Sequence, residues 1–341
     1  MHLNKKVFRA TLILLAITIL ACDSINKPDI GSDVFWEPVN KLPGSNQTQI
    51  HAIIVADNGD VWASNSRGVY VSTDNGDTWV QKNNFPFNPG SIAVSPVNGY
   101  LFVKDYNYGT FRSTDNGESW IKVIDYIGIR EILISPSGEI YVIARERIYY
   151  SNDNGDTWIE KITNRFPNED IISVALGTDG TLYAATYSKG VYRLAIGTNN
   201  WMPPSNYADV LARTLAISDD GLIFVAASAN GVLKSTDKGI YWDQVNIMPD
   251  IDYTNSNKVF YNPVTKDLFV TCQLLRHVSG YIDDSEKSQV YRSTDLGASW
   301  RLEGRGLPND QWKVLFAANP NTGQMFLTTD NDVYRTKNYP N

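Results

Sequence analysis

Cysteine is almost missing from this chain: Cys22 and Cys272 are the only two. No disulfide framework can be built from them if Cys22 is modified as argued below. Cys272 ends the apolar run Leu268-Phe269-Val270-Thr271-Cys272 and reads as a small buried hydrophobe. Histidine is as scarce. His51 and His277 are the only two beyond the N-terminal segment, and neither clusters with cysteine, so no metal site is expected. A phosphate-binding glycine loop is absent, and no cofactor is expected. The chain also lacks a basic excess: its net charge is −7, which argues against a nucleic-acid partner. No long amphipathic helical pattern occurs. The one sustained apolar run, Ala10 to Ala21, is too short for an ordinary membrane span.

That run follows Lys5, Lys6 and Arg9 and has the layout of an export signal. It ends in Ile19-Leu20-Ala21-Cys22, which resembles a bacterial lipobox. The resemblance implies cleavage before Cys22, lipid on Cys22 as the membrane anchor, and a cell-envelope, extracytoplasmic location. The expected organisation is a signal peptide over 1–21, a polar tether over 22–33 and a single domain over 34–341.

What the chain has in abundance is a repeat. Ser113-Thr114-Asp115-Asn116-Gly117-Glu118-Ser119-Trp120 reads Ser-x-Asp-x-Gly-x-x-Trp, and the spacing returns at Ser72, Ser151, Ser235 and Ser293. The residues are those of a turn. Asp115 is placed to accept from N–H groups of its own loop, and Gly117 tolerates φ > 0. Ser113 can hold the loop from its other side, and Trp120 has the area to fill a gap between sheets. The pattern resembles the Asp-box, or BNR repeat, found in sialidases, xyloglucanases, sortilin-type receptors and photosystem II assembly factors. In those families it closes the hairpin between the third and fourth strands of propeller blades. It therefore implies an architecture and not a reaction.

Four short strands fit within each repeat of about forty residues. Trp79, Trp120, Trp158, Trp201 and Trp242 recur at this interval, with the box decayed before Trp201. The interval before Trp300 is longer and holds an insertion at 273–288. The last repeat, Lys313 to Thr336, stops before its fourth strand, while Trp36 stands one repeat length ahead of Trp79. The expected fold is all-β: a seven-bladed β-propeller of four-stranded antiparallel blades, closed by the N-terminal strand completing the C-terminal blade. Closure removes the open sheet edge, and a monomer is expected.

Strand parity assigns faces. Turns between first and second strands, and the box turns, share one face and are short and stereotyped. Loops between second and third strands, and those joining blades, share the other and vary. Variable loops are where a repeat scaffold carries function. That face offers Arg67, Tyr106, Tyr108, Arg130, Arg145, Arg147, Tyr187, Arg213 and Trp312 as candidate ligand-binding residues. Guanidinium groups bind paired oxygens and aromatic rings stack, a combination suited to a glycan or protein ligand of anionic character. The insertion at 273–288 is expected on the same face as a lid or recognition loop.

Two functions fit. One is a non-catalytic, lipid-anchored glycan- or protein-binding module. The alternative is a sialidase-related glycoside hydrolase or other glycan-active enzyme. Against the alternative, the sialidases' Arg-Ile-Pro motif and a clear arginine triad are absent, and a single propeller supplies half of a xyloglucanase cleft. A carboxylate pair such as Asp105 with Glu146 or Asp283 would be needed for acid–base work, and the catalytic residues are left unassigned.

Overall fold

The computed structural model describes residues 34–337 apart from 45–47, 83–84, 86–87, 127, 145–146, 162–168, 196–197, 199, 248–252, 279–280, 284–288 and 309–313. Seven antiparallel sheets follow one another as blades of a propeller. Their innermost strands are Ile50–Val55, Pro89–Val94, Ile129–Ile134, Ile171–Leu176, Ala212–Ile217, Tyr253–Tyr261 and Leu315–Ala318. The second strands, such as Val61–Asn65 and Leu101–Asp105, are buried at every position whose side chain is described. A blade interior has neighbours on both faces, so its strands need no polar alternation.

The seventh blade is composite. Trp36–Pro38 pairs antiparallel with Val333–Thr336, Trp36 opposite Thr336. The closure is anchored beyond the ladder. Trp36 N donates to Arg305 O at 2.9 Å, and its Nε1 donates to Glu303 O at 2.7 Å. A glycine is required beside it. At Gly306, φ is +94°, and a Cβ would stand 1.9 Å from Trp36 O.

The core is divided into seven clusters, one between each pair of neighbouring blades. Each takes one tryptophan of the register. Trp36 lies between blades 6 and 7, and Trp79 between blades 7 and 1. Trp120, Trp158, Trp201, Trp242 and Trp300 fill the next five in order. The repeat thus spaces one large apolar wedge per interface.

The box turns behave as the residues require. Ser113 Oγ donates to Asp115 Oδ1 at 2.7 Å, Gly117 N donates to Ser113 Oγ at 2.8 Å, and Ser119 N donates to Asp115 Oδ1 at 2.8 Å. The residue ahead of each glycine also has positive φ, from Asn75 to Leu296, a feature the sequence reading missed. A basic side chain at the end of the third strand then reaches the next blade's box. Arg112 Nη1 donates to Asn154 O at 2.6 Å, Lys234 Nζ to Leu296 O at 3.1 Å and Arg335 Nη1 to Asn75 O at 3.0 Å. Arg193 reaches Gly239 O in the same way at 3.2 Å.

Two blades depart from the expected pattern. Blade 4 has three strands, and its fourth is reduced to a single bridge, Arg193 with Met202. Pro203 and Pro204 follow and have no N–H with which to continue the ladder. The chain instead crosses to blade 5, where the Asn206 side-chain amide pairs with both backbone groups of Trp242. In blade 6 the described part of the expected loop at 273–288 is strand. Leu268–Val278 runs on as one element, and Tyr281–Asp283 folds back against it. The inner strand is lengthened to match, with Tyr253 opposite Leu275. The described part of the insertion is therefore a ladder built onto blade 6, paired with the lengthened inner strand and with its own return strand.

Candidate functional site

The inner strands share an irregularity. Six of the seven carry a register shift at one level, near the end that receives the inter-blade loops. The extra residue is His51 in blade 1, Arg130 in blade 3, Ile172 in blade 4, Arg213 in blade 5 and Asn257 in blade 6. A bulge leaves backbone groups unpaired and re-aims a side chain. Side chains of the preceding blade take up some of those groups. Ser64 Oγ donates to Gly90 O at 2.6 Å, and Lys104 Nζ donates to Arg130 O at 2.8 Å. Val174 N donates to Glu131 Oε2 at 3.1 Å, and Val259 N to Thr214 Oγ1 at 2.9 Å. Four of the six bulges are thereby fixed by the preceding blade, and the side chains they carry are held on rigid strands.

Several predicted residues come together here. The Tyr106 ring meets His51 edge-on at 5.5 Å, and Lys104 Nζ sits 4.8 Å from its centroid. Arg130 Nη2 pairs with Asp170 Oδ2 at 3.1 Å, and Tyr187 N donates to Asp170 O at 3.0 Å. The result is a connected arc across blades 1 to 4. Tyr106, Tyr108 and Tyr187 are 46%, 47% and 62% exposed along it. Arg213 stands on the next blade, its Nε donating to Ser228 Oγ at 2.5 Å.

Others lie apart. Arg147 opens a third strand, pairs with Glu160 of the outer strand at 3.1 Å and lies over Tyr126. It belongs to the outside of blade 3. Arg67 caps the first blade's loop, its N bonded to Asn65 Oδ1 and its guanidinium lying against Gly44. Arg145, Trp312 and Cys22 lie outside the described residues. The candidate ligand-binding residues read from the sequence did not include His51, Lys104, Glu131 and Asp170. Aligning the repeats at the start of the first strand would have placed His51 beside Arg130 and Arg213.

The charges are unevenly tuned. Burial raises the Glu131 carboxyl above its ordinary range, against the pull of Lys258, two hydrogen bonds and Lys104. In the box turns the carboxyls move the other way. The Ser119 hydroxyl and N–H hold Asp115 at about 2, and the equivalent groups hold Asp153 and Asp295 there. Asp105 cannot serve as an acid–base partner in the way envisaged. It is buried, and its Oδ1 accepts from Asn107 N and Tyr108 N to cap its own loop. Glu146 and the Asp283 side chain lie outside the described residues. Among the described residues no group of three His, Cys, Asp or Glu side chains is placed to hold a metal ion.

The DUF6242 beta propeller domain matches residues 31–272, about seven-tenths of the chain. The chain belongs to that family. The match ends at the point where the DUF6242 propeller adds its extra ladder to blade 6. No curated protein matches the sequence. Solved structures match at low identity and show the fold alone. YCF48 from Cyanidioschyzon merolae is 16% identical with a TM-score of 0.68, covering 90% of this chain and 100% of that one. YCF48 bound to D1 peptide is 15% identical with a TM-score of 0.70, covering 90% and 96%. The GH74 xyloglucanase from Xanthomonas campestris is 14% identical with a TM-score of 0.66. It covers 89% of this chain, which spans 53% of the xyloglucanase.

Proposed function

We propose that this propeller is a non-catalytic binding module of a lipid-anchored protein of the bacterial cell envelope, and that it holds a protein segment at the channel mouth. The observation that carries the reading is the arc His51–Tyr106–Arg130–Asp170–Tyr187, with His51 and Arg130 on bulged inner strands and the Arg130 carbonyl tied by Lys104 of the neighbouring blade. Rigid placement lowers the ordering cost of binding. Exposed tyrosines beside guanidinium and ammonium groups are the chemistry of a protein-binding surface. A propeller of similar fold, YCF48, has been solved with a D1 peptide, which favours a peptide over a glycan. The opposite face offers little, since its turn carboxylates are engaged by their own loops.

Binding is tested on paired peptide and glycan arrays, with Arg130→Ala and Arg213→Ala as the variants. Retention of peptides, weakened about tenfold by Arg130→Ala and reduced by salt, supports the reading. Retention of glycans alone replaces the peptide with a sugar. Hydrolysis of an arrayed glycan overturns the non-catalytic assignment. The anchor is tested by Cys22→Ser, which is expected to release the protein from membranes. Unchanged fractionation removes the lipid.

A further inference from the structure

One layer below the mouth, the residues just past the bulges include Glu131, Ser173, Thr214 and Lys258, with Ser91 inside the blade 2 bulge beside them. Glu131 on blade 3 and Lys258 on blade 6 are the charged members, three blades apart around the ring. Burial raises the Glu131 carboxyl, and Lys258 is the leading influence opposing that rise, with Lys104 adding to it. Lys104 reaches this layer because blade 2 has a glycine in the way. A Cβ on Gly90 would stand 2.4 Å from Lys104 Cε. Lys104 Nζ then lies on the carbonyl of Arg130, the residue preceding Glu131. The Glu131 carboxylate itself takes Val174 N at 3.1 Å and bonds the Ser173 hydroxyl. Ser91 Oγ is buried in the same layer with no hydrogen-bond partner.

We propose that this layer is a carboxylate subsite of the mouth, that Glu131 occupies it as a tethered stand-in, and that an acidic side chain of the bound segment displaces it. The inference rests on the reading of the mouth given above. Two ammonium groups acting on one carboxylate, among hydroxyls and an inward N–H, make a receptor for a single carboxylate. The internal occupant is poorly placed to compete. Burial penalises its charge, and a carboxylate that moves up to the mouth regains water. An incoming carboxylate inherits the same donors. Glu131 is then a selectivity device: it holds the subsite's donors and yields them only to a group of matching chemistry.

The probe is acetate, titrated into the purified protein and followed at the amide of Val174, whose N–H reports on the Glu131 carboxylate. A saturable shift is expected. Glu131→Gln removes the internal competitor's carboxyl and is expected to tighten acetate about tenfold. Lys258→Met is expected to weaken it about tenfold, with Lys258→Arg restoring it. No saturable shift at Val174, or weaker acetate binding in a folded Glu131→Gln protein, overturns the proposal. If Glu131→Gln melts early, the Lys258→Met and Lys258→Arg pair decides, and equal acetate affinity in the two overturns it. A glutamate-containing peptide that binds the mouth must displace acetate, and its glutamine counterpart must not. Displacement by glucuronate and not by the peptide overturns the peptide assignment. A mouth-binding peptide that leaves acetate in place overturns the subsite alone. Acetate bound at Val174 with no peptide retained by the arrays overturns the reading of the mouth alone.

Discussion

The two ends of this propeller are built from the same strands and are organised in opposite ways. At the box end, side chains turn inward upon their own chain. Ser113, Asp115 and Ser119 bond one another and the turn amides, and Arg112 and Lys82 fasten to Asp156 and Glu118 of the next blade. Polar groups there are spent on holding the ring. At the loop end the groups satisfied are backbone groups of the bulges, and the supporting side chains come from across blade boundaries. That arrangement leaves tyrosine rings exposed on a rigid floor. A repeat can therefore keep one end constant for stability and vary the other for recognition.

The comparison breaks first wherever ring closure is lost, since both ends depend on it. Trp36→Ala empties the wedge between blades 6 and 7 and is expected to cost about 3–5 kcal/mol, read from denaturant midpoints. At the box end, Gly117→Val forces a β-branched residue to φ +82° with Lys82 Cγ 3.1 Å from its Cβ. A loss of about 2 kcal/mol is expected, with ligand affinity unchanged in the folded fraction. Weakened binding at equal foldedness would erase the division between the ends. Arg112→Met removes one inter-blade clamp and is expected to lower stability by about 1 kcal/mol, again without effect on binding. Arg130→Ala sharpens the contrast from the other side. Its ion pair is exposed, so stability should change by no more than about 0.5 kcal/mol while peptide affinity falls about tenfold. A large drop in melting temperature would make Arg130 a strut.

The smallest effect is set by pH. Asp115, Asp153 and Asp295 are held at about 2, below the ordinary 3.8. As acid is added the unfolded chain takes up these protons first. Their stabilisation is complete above the unfolded value and is lost as pH falls through the folded one. Melting temperature is expected to decline between about pH 4 and pH 2, and less steeply in the triple Asp→Asn variant. Equal slopes would assign the decline to other carboxyls.

The blade count and the closure were legible because tryptophan marks each interface. Trp36 lies one interval ahead of Trp79, and no other reading gives it a partner. The reduction of blade 4 was legible too in Pro203-Pro204, had the missing donors been counted. The ladder added to blade 6 was not, since Gln273–Leu275 pair with a lengthening of the preceding strand and Arg276–Val278 with the short return Tyr281–Asp283, neither of which carries a strand pattern of its own. For the site, strand parity told which end of the axis a residue reaches but not its distance from the axis. Arg130 and Arg147 have the same parity. One opens a first strand at the channel, the other a third strand facing Glu160. Radius follows strand number, and the bulge that aims Arg130 exists only once the second strand has paired.

Ring closure also orders events in time. Glu37 and Arg335, joined across the closing strands at 2.7 Å, are 298 residues apart in sequence. Chain synthesis proceeds from the N-terminus, so Trp36 waits for its cavity until the strand ending at Thr336 has been made. Early blades can stack as they are completed, because their interfaces are local. The first strand must remain idle throughout, with the outer edge of its future neighbour not yet made. The brevity of Trp36–Pro38, three residues ending in a proline, limits what such a waiting strand can wrongly join.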